Sequence, residues 1–353
     1  MHINMSIRSQ ILINSLNISN DDPRCLYMKL RKVQQTPSGT FFICLPKDWA
    51  RRNGLTRGSL VAITETVDGK LMIDAKYDVE PSPQRVVIRP TPLLDRMIVE
   101  KYLLGYDVIE IEADGVISTQ DYERIRQAIR RLVGLEIVEE DRSRIVMQCL
   151  LEPSALSPEK ILRREYSIVA GMHRDAVKAL IESDTALAEH VIARDNEVNR
   201  LYFLLVRILR SVFQKPGLGD KLKLRPIDCL DYRLISSMVE EIGDQSVQIA
   251  KVAVKLGETR IPEDIAGLIF RLHQVAYDSH ERALKAFLSH DTSTAEAVRA
   301  EQKKIASLFR DIEVAAHKQP IKLAPHIISV ATSIHRIYDR SVDMADLVMP
   351  RLV

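Results

Sequence analysis

The strongest constraint on this chain is a repeat inside it. Residues His173–Tyr202 align with His280–Phe309 at an offset of 107, and eleven of the thirty pairs are identical, among them His173/His280, Lys178/Lys285, Asp184/Asp291, Thr185/Thr292 and Leu201/Leu308. Self-similarity at a fixed offset marks a duplicated structural unit. The pattern is helical from Ser157 onward, opening on Ser157-Pro158-Glu159: an N-cap, a proline in the first turn and an acid at the positive end of the helix dipole. Breaks at Ser183-Asp184, Lys215–Asp220, Gly257–Pro262, His290-Asp291 and Gln319-Pro320 leave six helices. The duplication divides them into two three-helix units, residues 157–257 and 261–350.

Upstream, the texture changes twice. Residues 1–27 read as a loose tail without the apolar core of a signal peptide. Residues 28–77 carry four short strands (Leu30–Val33, Thr40–Leu45, Ser59–Thr66 and Lys70–Asp74) with turn signals at Pro37-Ser38-Gly39 and Asp68-Gly69. One short helix, Pro46–Asn53, interrupts them, with Gly54 just past its end. So small a module buries too little to be comfortable alone, which predicts dimerisation. Residues 78–153 alternate strand and helix, a small α/β layer with no glycine-rich phosphate loop.

The net charge of +2 hides an asymmetry. Arg24–Leu60 holds eight basic residues against one acid, Asp48, so that window carries +7 and the remainder −5. A compact basic module on an acidic protein suits a polyanionic partner. The four cysteines, Cys25, Cys44, Cys149 and Cys229, lie far apart with no paired spacing, and no apolar run reaches the roughly 18–20 residues that span a bilayer. A reduced, cytoplasmic setting without membrane insertion is expected.

Chemistry-bearing residues gather in the first repeat. Its second helix carries Asp195 and Asn199 and its third Glu240 and Asp244, each pair spaced i,i+4 and so on one helix face. Packed antiparallel, these faces would bring together three carboxylates and an amide oxygen, donors suited to iron, Mg, Mn or Ca. Acid pairs at this spacing also arise by chance in a helical half with this many acids. What raises Glu240/Asp244 above chance is Gly243, a mid-helix glycine costing roughly 1 kcal/mol that calls for a close approach. The duplicate is degraded: the equivalent positions are Gln302, Ala306, His335 and Asp339, a second site binding a cation weakly or not at all. The remaining histidines, His173 and His280 among them, read as packing or hydrogen-bonding residues.

These motifs resemble two known families. Glu240-Glu241-Ile242-Gly243-Asp244, followed by Val247 and Ile249-Ala250, is similar to the metal-binding signature of the PhoU family of phosphate-uptake regulators. Asp195–Leu201 matches that signature with one departure, Asn199 where an acid is usual. The resemblance spans Pro158–Pro350 and implies tandem three-helix bundles. Arg31-Lys32-Val33, Gly39–Pro46, Trp49–Leu55 and Gly58 resemble the AbrB/SpoVT-type swapped-hairpin DNA-binding domain, in which two chains interleave into one barrel. That resemblance implies DNA contacts from Arg31, Arg51 and Arg52, with Lys29, Lys32, Lys47 and Arg57 on phosphates, and loses one contact at Thr40. The two together resemble archaeal phosphate-uptake regulators.

The expected architecture is therefore multidomain α+β: a swapped-hairpin barrel, a small α/β module and PhoU-like tandem three-helix bundles. The expected function is a homodimeric, DNA-binding regulator of phosphate uptake that senses through a metal-binding helical half. The alternative is a PhoU-type adaptor that does not bind DNA and inhibits a phosphate ABC transporter or sensor kinase, its barrel serving dimerisation or partner binding. Catalysis is not expected. No histidine follows a glutamate by three residues, as di-iron carboxylate bundles require, and Ser157/Lys160 has an acyl-transferase spacing only at a helix start.

Overall fold

The computed structural model describes residues 31–65, 69–75, 83–215 and 217–349. The chain divides after Glu80 into two units.

In the first unit, β1 (Gln34–Gln35) pairs antiparallel with β2 (Phe41–Phe42), and β3 (Ala62–Glu65) with β4 (Leu71–Asp74). Between the hairpins lies α1 (Lys47–Arg52), entered through Pro46 and closed by Asn53, whose side-chain amide donates to the Trp49 carbonyl at 2.9 Å. Gly39 (φ +91°) supplies the left-handed residue of the first turn. The four strands form two separate two-stranded ladders, and no closed barrel is found among the described residues. The expected barrel is thus not built within one chain. The first ladder is also shorter than expected, starting at Gln34 rather than Leu30, which lies outside the described residues. The reason is a shortage of core: no described residue of this unit is buried, and Val33, Phe41, Phe42, Ile43, Leu60, Ile63 and Leu71 are all exposed.

The second unit opens with the α/β module: β5 (Arg85–Ile88), α2 (Leu94–Leu103), β6 (Val108–Glu112), α3 (Thr119–Arg130), β7 (Leu135–Glu140) and β8 (Arg144–Cys149). The sheet order is β5-β6-β8-β7; β5 and β6 run parallel through the α2 crossover, and the other neighbours are antiparallel. Ser118 caps α3 by accepting from the Asp121 amide. Ile98 and Tyr102 of α2 and Ile125 of α3 pack on Ile109, Ile111, Ile145 and Met147 of the sheet.

Seven helices longer than one turn or two follow: α4 (Pro158–Glu182), α5 (Thr185–Gln214), α7 (Pro226–Leu256), α8 (Glu263–Ser289), α9 (Thr292–Ala300), α10 (Gln302–Ala316) and α11 (Ala324–Asp346). A short α6 (Leu218–Leu222) sits in the α5–α7 connection. Ser157 caps α4 by accepting from the Lys160 amide, so the Ser157/Lys160 spacing is a capping interaction. One continuous core of Val, Leu, Ile and Ala runs through both repeats.

The repeats differ where a single helix was expected, because α9 and α10 meet at Glu301. The cause is Tyr338. Its buried hydroxyl donates to the carbonyls of Val298 and Arg299 at 3.1 and 3.4 Å, competing with the helix's own amides at the break. By the offset of 95 that relates the third helices, Tyr338 stands where the first repeat has Gly243. A Cβ on Gly243 would lie 3.3 Å from Val169 Cγ2 and 3.7 Å from Val198 Cγ1. The glycine therefore admits side chains of α4 and α5, not the backbone that its position in the sequence suggested. One position keeps the first repeat tight and splits a helix in the second.

Candidate functional site

Gly243 draws α7 against α4 and α5, and this contact sets up the acids of the first repeat. Asp195 and Asn199 lie on α5; Glu240, Glu241 and Asp244 lie on α7. Burial raises the carboxyls of Asp195, Glu240 and Asp244 above their usual range. Asp244, Asp195 and Glu241 push Glu240 further, to about 7, and Asp195 and Glu241 do the same to Asp244. Arg233 opposes the effect at Glu240, and Lys251 opposes it at Asp195 and Asp244. The structure thus brings the three expected carboxylates into one electrostatic field. It does not bring in the fourth donor as expected: the Asn199 amide nitrogen donates to Asp195 Oδ2 at 2.9 Å and to the Asp195 carbonyl at 3.1 Å. Asn199 thereby spends its N–H groups on Asp195.

Two observations bear on a metal here. Asp195 Oδ1 is buried without a hydrogen-bond partner, which leaves the cluster short of positive charge. Against that, no group of three or more His, Cys, Asp or Glu among the described residues is placed to hold a metal ion. As arranged, the acids share one electrostatic field. In the second repeat His335 Nδ1 lies 3.3 Å from Asp339 Oδ2 and its ring packs edge-on against Phe309, while Gln302 opens α10. His335 and Asp339 satisfy each other.

A fourth acid, Glu165 of α4, completes the buried group and was missed in the sequence. It is fully buried; Ser236 Oγ donates to its Oε2 at 2.8 Å, and its Oε1 has no partner. Burial first, and then the neighbouring Glu240, hold its carboxyl well above the usual range. The local signal that could have found it is phase: Glu165 falls between Ile161-Leu162 and Ile168-Val169 on the apolar stripe of α4.

In the first unit, Arg31, Lys32, Lys47, Arg51, Arg52 and Arg57 are exposed, and none forms an ion pair with a described residue. Arg51 and Arg52 close α1, where cations suit the negative end of the helix. Thr40 lies between the Gly39 turn and β2, and Lys29 lies outside the described residues.

Fold and site together define a duplicated helical-bundle protein with one acid-rich repeat and one repeat that keeps only Asp339 at the equivalent positions. The comparison with known families resolves the class. Residues 162–253 and 269–348 match the PhoU domain, one match on each repeat, so each half of the duplicated bundle is similar to a PhoU domain. The chain is 24% identical over 200 residues to a protein of Rhizobium meliloti described as a phosphate-specific transport system accessory protein PhoU homolog, covering 54% of this chain and 83% of that one. A Mycobacterium tuberculosis protein described as PhoU homolog 2 of the same system is 27% identical over 184 residues, covering 50% of this chain and 83% of its own length. The solved structure of PhoU from Pseudomonas aeruginosa is similar with a TM-score of 0.49 at 22% identity, covering 54% of this chain and 93% of that one. No helix of the described residues is long and apolar enough to cross a membrane.

Proposed function

We propose that this protein is a PhoU-type accessory regulator of phosphate transport, acting by docking rather than by catalysis. The observation that carries this is the coincidence of the duplicated bundle with two PhoU domain matches, one per repeat, in a chain whose relatives are described as accessory to phosphate-specific transport. A transporter or its sensor kinase is the partner class this implies. The buried acids of the first repeat are the sensing element of this reading. A hard cation drawn to them would have to rotate Asp195, Glu240 and Asp244 toward one another, since they are not gathered in advance. The test is affinity capture from cells of the source organism grown with ample and with scarce phosphate. Phosphate-transporter or kinase subunits should be retained, with the amount depending on phosphate supply; retention independent of supply, or no such subunits, would sink the reading.

A second reading concerns the first unit, and a specific feature favours it. Six basic side chains stand exposed on a module whose own apolar residues are also exposed. A second copy would cover Phe41, Phe42, Ile63 and Leu71, complete the barrel that one chain leaves open, and double the positive surface. Such a surface binds a phosphate backbone with affinity that falls steeply as salt rises. Alanine at Arg31, Arg51 and Arg52 together should weaken binding to a phosphate-transporter promoter fragment by about 100-fold or more at physiological salt and flatten its salt dependence. Unchanged affinity would assign the module to dimerisation or partner docking alone.

A further inference from the structure

At the interface between the two repeats, α4 and α8 bury a row of polar rings that the acid site does not use. Tyr166 Oη lies 2.9 Å from His280 Nδ1, His280 Nε2 lies 3.2 Å from His173 Nδ1, and His173 Nε2 lies 3.1 Å from His273 Nδ1. His173 and His280 are fully buried and His273 is 6% exposed. Tyr277 packs against all three imidazoles. The row obeys the duplication: at the offset of 107, Tyr166 maps to His273 and His173 to His280.

The arrangement is linear. His173 uses one nitrogen toward His280 and the other toward His273, so the three rings do not converge on a point and form no metal site. Each ring is entered at Nδ1 and left at Nε2. Burial holds all three imidazoles neutral, His173 well below its usual range, His280 at about 3 and His273 at about 4. A neutral imidazole carries one N–H, and each link of the row needs one proton. Two rings of opposite tautomer would face each other lone pair to lone pair, or N–H to N–H, in a site that water does not reach. Such a mixture is disfavoured by about ten-fold or more. The three rings must therefore share one tautomer.

The ends of the row choose which. Glu281 and Tyr166 line the same open groove, about 480 Å³ in volume, together with Arg163 and Lys285, and the Glu281 charge acts on that phenol. At the other end the Arg174 guanidinium acts on His273. Arg174 and Glu281 are themselves equivalent in the repeat, one cationic and one anionic. The row is symmetric in position and polarised in charge. Protons move toward the anion and away from the cation.

We propose that Tyr166, His280, His173 and His273 form a one-directional hydrogen-bond relay across the repeat interface, in which His273 donates to His173, His173 to His280, His280 to Tyr166, and Tyr166 to the groove. All three rings are then Nδ1–H tautomers. A ligand in the groove that donates to the Tyr166 oxygen, or that neutralises Glu281, reverses the row: each Nδ1 proton passes to the acceptor it faces, the Tyr166 hydroxyl proton leaves to solvent in the groove, and one solvent proton is taken up at His273 Nε2, so the ligand's presence is reported at His273.

The experiment is nitrogen NMR of the full chain with ¹⁵N-labelled histidine, at neutral pH. The expected result is three buried rings protonated at Nδ1 alone, with the charge-swapped Arg174→Glu/Glu281→Lys protein moving all three protonated resonances to Nε2. Both substituted side chains are exposed, so the swap leaves the core intact. Rings of mixed tautomer, a cationic ring, or a swap that moves one ring without the others would each overturn the relay.

Discussion

Replacing Arg207 by alanine is expected to destabilise the second unit by about 3–5 kcal/mol and to loosen the α/β module from the bundle. Arg207 belongs to α5, and its side chain is nearly all buried. Its Nη1 donates to the carbonyls of Tyr102 and Tyr106 at 2.6 and 2.9 Å, its Nη2 lies 3.5 Å from Asp107, and its guanidinium stacks 4.8 Å from the centre of the Tyr102 ring. Gln214 of the same helix donates to the Leu104 carbonyl at 2.7 Å. The end of α2, whose last carbonyls have no partner within the helix, is thus capped by side chains from α5. Alanine would leave the Tyr106 carbonyl without its side-chain donor and remove one of two donors from the Tyr102 carbonyl, which keeps the Gly105 amide, while Asp107 keeps the Gln84 amide and Lys215. Lysine would keep the charge but lose the planar fork that reaches both carbonyls, and should recover less than half of the loss. Urea unfolding measures the first effect, and faster proteolytic cutting near residues 150–157 measures the second. A loss below about 1 kcal/mol would show that the module is held by its apolar contacts with Phe203 and Leu151 instead.

The second large effect is a pH dependence centred on Glu165. Its carboxyl is held well above the ordinary value of 4.5 by burial and by Glu240, so between that value and the raised one the folded protein holds a proton that the unfolded chain has released. Stability must then fall as pH rises through that window and be fully retained below it. Glu240, raised to about 7, adds a contribution of the same sign that ends near neutrality. Glu165→Gln keeps an acceptor for Ser236 and removes the proton. The variant should match the parent near pH 4 and exceed it by about 1–3 kcal/mol near pH 8, the penalty for a buried group lacking partners. Parallel unfolding curves at the two pH values, offset equally, would contradict this account.

Much of the helical half was legible from the residues because its signals are local and repeated. The Ser157 cap and the breaks at Ser183-Asp184 and His290-Asp291 mark helix starts, and the side chains of Ser157, Asp184 and Asp291 each accept from an amide of the first turn. The acids at 195, 240 and 244 could be placed on facing helices by spacing alone. Other features could not be read this way. The equivalence of Tyr166 and His273 lies seven residues before the aligned window, and extending the repeat backwards would have shown the paired i,i+7 positions. Apolar neighbours place Arg207 and Glu165 on buried faces, but what each pairs with could not be read, since the partner lies about a hundred or seventy residues away. The split at Glu301 likewise needs Tyr338, from another helix, to be seen.

The amino-acid order by itself determined the helices, the hairpins, the duplication and the basic character of the first module. Periodicity, capping and composition act over a few residues and are written directly in the chain. Only the tertiary structure decided which polar groups meet once water is excluded: that Asn199 turns N–H toward Asp195, that Glu165 is sealed beside Ser236, and that three histidines from two repeats line up head to tail. Those outcomes depend on helix packing to within a fraction of an ångström. A hydrogen bond gained or lost in a dry interior is worth more than any local preference that precedes it.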